Sequence, residues 1–82
     1  MLVHRAEISA SERTDFEKAI RANGKDPRAF KAELFEATLG ELGRKLRRVH
    51  VATLDAAAQY EASAGSSWTR SFARHLARGV FG

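Results

Sequence analysis

Cysteine is absent from this chain of 82 residues, and proline, tryptophan, tyrosine and methionine each occur once. The missing cysteine excludes a disulfide scaffold and a Cys-based zinc site. Small secreted domains commonly depend on such staples, so the composition sets the expectation of a cytoplasmic protein. Long apolar runs are missing as well. No stretch approaches a membrane span, and Met1-Leu2-Val3-His4-Arg5-Ala6-Glu7 lacks the apolar core of a signal peptide, so no membrane association is expected.

Catalytic and cofactor motifs are equally sparse. His4, His50 and His75 are scattered singly, with no His-x3-His or Glu-x2-His spacing to put two metal ligands on one face. His4 and His50 would become neighbours only if their two strands paired. No Gly-x-Ser-x-Gly elbow presents a nucleophilic serine, and Glu33, Glu36 and Glu41 read as solvated carboxylates. Gly24-Lys25-Asp26 lacks the flanking residues of a phosphate-binding loop. Gly40-Glu41-Leu42-Gly43 has the spacing of the Gly-x-x-Gly loop of KH domains, but Glu41 would repel a phosphate. The expectation is a non-enzymatic protein without cofactor or metal.

What is present is an ordinary globular composition: 44% hydrophobic and 29% charged residues, a net charge of +4, and a sequence pI near 10.1. A single domain spanning residues 1–82 follows. A chain of this size buries only about two-thirds of the surface that its unfolded form exposes.

Leu2, His4, Ala6 and Ile8 alternate with Val3, Arg5 and Glu7, as in a strand with Ile8 turned inward. Ser9 and Glu12 stand in capping-box spacing. Phe16, Ala19 and Ile20 form an apolar stripe, and Asn23-Gly24 supplies a stop, so the pattern predicts a helix from Ser11 to Asn23. Asp26-Pro27 then turns the chain.

Residues 28–63 support two readings. As helix, Phe35, Leu39, Leu42, Leu46 and Val49 keep a 4-3-4-3 spacing, but Gly40 and Gly43 fall inside the helix. As strands, Phe30, Ala32 and Leu34 face one way and Lys31 and Glu33 the other, and residues 40–43 become a loop. Val49 and Val51 then point inward from one strand, and Ala58, Tyr60 and Ala62 from the next. The intervening turn at residues 54–57 lacks the Asn-Gly or Gly-Gly that tight hairpins prefer.

Towards the C-terminus, Trp68, Phe72 and Leu76 recur every four residues, and Arg70, Arg74 and Arg78 fall roughly opposite them. Ser66 or Ser67 is placed to cap this helix and Gly79 to end it. The pattern Val49-x-Val51, Tyr60-x-Ala62, Gly65-Ser66-x-Trp68, Phe72-x3-Leu76, Gly79-Val80-Phe81-Gly82 resembles that of small uncharacterised proteobacterial proteins. Asp15-Phe16-Glu17 through Asn23-Gly24, then Asp26-Pro27 and Phe30, resemble their front half. The resemblance implies an α+β fold, expected in β-α-β-β-β-α order, while the helical reading of residues 28–63 leaves all-α as the alternative. It implies no activity. The chain departs from the pattern at Asp55-Ala56, where a glycine-rich turn is expected, at Ser63, where a glycine is, and at His75, where an acid is.

Two functions follow as expectations. The first is a binding or accessory module that engages an unidentified protein partner or a second copy of itself, with Val80 and Phe81 as candidate contacts. The alternative is backbone-directed nucleic-acid binding through Arg44, Lys45, Arg47, Arg48, Arg70, Arg74 and Arg78. A solvated face that only confers solubility explains the same cations if they do not converge. No aromatic is expected to be spare from the core for base stacking.

Overall fold

A computed structural model of the chain describes residues 2–41, 43–62 and 67–82. Strand β1 (Leu2–Ala6) leads into helix α1 (Ala10–Ala22), and a 3-10 turn at Pro27–Ala29 follows. Strands β2 (Lys31–Leu39), β3 (Arg44–Ala52) and β4 (Ala57–Glu61) then run to helix α2 (Trp68–Ala77). This is the α+β reading, in the expected β-α-β-β-β-α order. The helical alternative for residues 28–63 fails at its glycines. Gly40 and Gly43 adopt φ of +71° and +66° in the β2–β3 turn, a left-handed conformation that a helix interior does not contain.

Helix α1 begins one residue earlier than the sequence pattern suggests, because Ser9 is its cap. The Glu12 N–H donates to Ser9 Oγ at 3.2 Å, and the Ser9 N–H donates to Glu12 Oε1 at 3.0 Å. Helix α2 ends in a Schellman motif around Gly79, whose φ is +79°. There the Val80 N–H donates to His75 O at 3.0 Å and the Gly79 N–H to Leu76 O at 3.1 Å. At the start of α2, Ser67 occupies the cap position but makes no side-chain cap bond, a correction to the expected role. Ser66 lies outside the described residues.

The sheet order is β1-β2-β3-β4, with every neighbouring pair antiparallel. The β3–β4 turn closes without glycine because Thr53 organises it. Thr53 Oγ1 accepts from the N–H groups of Ala56 at 3.1 Å and Asp55 at 3.3 Å, and the Thr53 N–H donates to Ala56 O at 2.8 Å.

Both helices pack on one face of the sheet. Leu34, Val49, Val51 and Tyr60 from the strands meet Phe16 and Ile20 of α1 and Trp68, Phe72 and Leu76 of α2, all buried. Ile8 and Ala62 also join this core, and Phe30 packs half-buried at its margin. The ring centroids of Phe16 and Phe72 lie 4.8 Å apart at its centre. Among the described residues no helix is long and apolar enough to cross a membrane.

Candidate nucleic-acid interface on the uncovered sheet face

Strand alternation that buries Leu34, Val49 and Val51 against the helices sends their sequence neighbours to the opposite face. No described element covers that face. The strand register arranges its side chains in rows across the strands. The central row reads Arg5, Phe35, Arg48 and Glu61, from β1 through β4. On one side lies the row Val3, Ala37 and Leu46; on the other lie Glu33, His50 and Gln59.

Phe35 is therefore flanked across both neighbouring strands by arginine. The His50 ring meets it edge-on, with centroids 4.9 Å apart. Phe35, Arg48 and His50, with Val3, Leu46 and Gln59, line a shallow depression of about 330 Å³. Val3 is 55% exposed at its rim. The expectation that no aromatic stands apart from the core is thus corrected. The strand reading already held the signal: if Lys31 and Glu33 face outward, so does Phe35.

The seven cations singled out from the sequence do not share one face. Arg44 and Arg48 lie on the uncovered face, while Lys45 and Arg47 alternate to the helix side. Arg70, Arg74 and Arg78 form an exposed ridge on α2, opposite its buried residues Trp68, Phe72 and Leu76. Arg5, which the sequence reading passed over, joins Arg44 and Arg48. Among the described residues, ion pairs join Arg5 and Lys31 to Glu33, Arg13 and Arg21 to Glu17, and Arg28 to Asp26. Glu33 is accordingly half-buried and paired rather than merely solvated, and Lys31 and Arg5 hold its carboxyl below the ordinary value.

Arg47 has a structural neighbour instead. Burial pushes the Glu12 carboxyl up, but bonds from the Ser9 N–H, the Trp68 indole and the Ser9 hydroxyl, with the Arg47 charge, outweigh it. The net effect holds Glu12 below its ordinary pKa. Trp68 Nε1 donates to Glu12 Oε2 at 2.6 Å, so one carboxylate caps α1 and ties it to α2.

The histidines remain apart. His4 stands opposite Glu36 in the β1–β2 ladder, whereas His50 stands opposite Glu33 and Gln59, with β2 between the two histidine-bearing strands. His75 shares a 2.8 Å hydrogen bond with the Tyr60 hydroxyl. Among the described residues no group of three or more His, Asp or Glu side chains could hold a metal ion. Of the candidate partner contacts, Val80 is 44% exposed but Phe81 is buried, only 8% exposed, its ring 5.6 Å from those of Phe30 and Phe72. Phe81 is a core residue first.

No protein-family model matches the chain, and no curated protein or solved structure matches it.

Proposed function

We propose that this chain is a small, non-enzymatic, cytoplasmic module that binds single-stranded nucleic acid on the uncovered face of its sheet. The observation that carries the reading is Phe35, an aromatic outside the core set between Arg5 and Arg48 with His50 against its edge. Bases stack on aromatic rings whatever their sequence, and arginines beside them neutralise the phosphates that follow. Arg44 at the head of β3 extends the cationic track. A duplex keeps its base faces stacked inside and offers this ring nothing, so single strands are the favoured ligand.

Fluorescence anisotropy of labelled single-stranded and duplex oligonucleotides tests this. Single strands are expected to bind with a Kd of about 1–100 μM and to weaken steeply between about 50 and 200 mM salt. Loss of one stacking base contact in Phe35→Ala should weaken binding about tenfold or more. Equal affinity for duplex, or a Phe35→Ala variant that binds as well as the parent, contradicts the reading.

A protein-binding reading, with an outside partner or a second copy, rests on a different surface. Leu54 at the β3–β4 turn is fully exposed beside a groove of about 710 Å³ lined in part by Phe30 and Phe81. If that groove mediates self-association, sedimentation should show a concentration-dependent mass that Leu54→Ser abolishes.

A further inference from the structure

The molecule has a second surface that the nucleic-acid reading does not use, along the outer side of β4. This strand ends the sheet order, so among the described residues no strand pairs with its far side. The antiparallel ladder is anchored by the Ala62 N–H, which donates to Arg47 O at 2.8 Å, and by the Thr53 N–H, which donates to Ala56 O. Alternation from these bonds turns the backbone groups of Tyr60 and Ala58 toward β3. Those of Ala57 and Gln59 point outward.

Helix α2 runs beside this edge. Tyr60 touches it along much of its length, with ring centroids 6.2 Å from Trp68, 6.0 Å from Phe72 and 5.2 Å from His75. Between strand and helix lies an open groove of about 570 Å³, lined among others by Gln59, Tyr60, Arg70, Ser71, Arg74 and His75. The Tyr60–His75 hydrogen bond fixes its wall. Arg70 and Arg74 are exposed above it, and Arg74 Nη2 donates to Ser71 Oγ at 3.4 Å. Glu61 lines the same groove.

We propose that the β4 edge and the Arg70–Arg74 ridge together dock an extended acidic segment of a partner protein, which adds to the sheet as a further strand. Its backbone pairs with the outward groups of Ala57 and Gln59. Its side chains alternate, so every second residue faces the helix. Same-face residues of a strand recur about every 6.8 Å, and Arg70 and Arg74 are about 6 Å apart along the helix axis, so alternate carboxylates meet successive arginines. Charge selects the occupant. A second copy pairing through β4 in a continuous antiparallel sheet would bring two α2 helices, each with its arginine ridge, to the same side of the join. Like charges there oppose self-pairing, as charged side chains beside edge strands do generally.

The probe is a dye-labelled peptide of four Thr-Glu repeats, blocked at both ends and followed by anisotropy at about 50 mM salt, where charge pairing is only partly screened. Saturable binding is expected. It should fall about tenfold in the Arg70→Ala, Arg74→Ala double variant and stay unchanged in Arg48→Ala, which lies on the other face. Gln59→Pro removes an outward N–H without touching the β3 ladder and is expected to abolish binding, with circular dichroism reporting whether the fold survives. N-methylation of alternate peptide amides tests the same backbone bonds with the protein untouched, and the same loss is expected. Equal binding of a reordered peptide with clustered glutamates, or of the N-methylated peptide, overturns strand addition and leaves charge attraction alone. No binding at low salt overturns the proposal and leaves the arginines as guards against edge pairing. A concentration-dependent dimer that Gln59→Pro dissolves makes a second copy the occupant, and also overturns it.

Discussion

Glu12 carries more than its position on a helix surface suggests. It completes the α1 capping box, accepts the Trp68 indole N–H and sits in the field of Arg47. Its folded-state pKa lies below the ordinary 4.5, so the ionised form stabilises the fold at higher pH. That contribution is lost as the pH falls through the folded value. Glu12→Gln keeps the capping geometry without the charge. Denaturant unfolding of parent and variant across the acid range should show a stability gap above about pH 5 that closes below the folded pKa. A gap of constant size contradicts the assignment. Tyr60 shifts the other way, because burial pushes its phenol from 10.0 to about 12. Stability tied to the neutral phenol is present below the unfolded value and lost as the pH rises toward the folded one. It is the only tyrosine in the chain, so the near-ultraviolet step of phenolate formation reports it alone. A midpoint well above 10.0 is expected, and an ordinary midpoint in the folded protein would remove Tyr60 from the core.

At the scale of elements, helix α2 closes the core through Trp68, whose ring contacts Phe16, Tyr60 and Phe72. Trp68→Ala should cost about 3–5 kcal/mol, a large share of what so small a domain possesses. Equilibrium unfolding checks this, and a variant of near-parent stability would contradict the packing. Both helices were legible from the chain because their apolar residues recur at helical spacing and their ends carry strong signals: Ser9, Gly24 and Gly79. The strands were less so. Phe35, Leu39, Leu42, Leu46 and Val49 imitate a helical repeat because open-face residues of two strands, Phe35, Leu39 and Leu46, happen to share one spacing with the core residue Val49. From sequence, the glycines at 40 and 43 and the β-branched Val49 and Val51 argue against it. The β3–β4 turn was illegible for a different reason, since Thr53 performs with a hydroxyl what glycine performs elsewhere.

Across the whole molecule, the decisive feature is that α1 and α2 cover one sheet face while no described element covers the other. The candidate site follows from this asymmetry. The run Arg44-Lys45-x-Arg47-Arg48 reads as one basic patch along the chain, yet strand alternation divides it between opposite faces. Conversely, Arg5, Phe35 and Arg48 are far apart in sequence and adjacent in the sheet. Pairing register, which composition and local pattern do not encode, is what assembles them. The α2 ridge lies apart from this face, so the two basic surfaces are expected to respond to different ligands. An amide NMR titration of isotope-labelled protein with a single-stranded oligonucleotide locates the binding surface residue by residue. Shifts should concentrate at Val3, Arg5, Phe35, Ala37, Leu46, Arg48 and His50 and spare α2. Shifts confined to Arg70, Arg74 and Arg78, or absent at low salt, would contradict the uncovered sheet face as the binding surface.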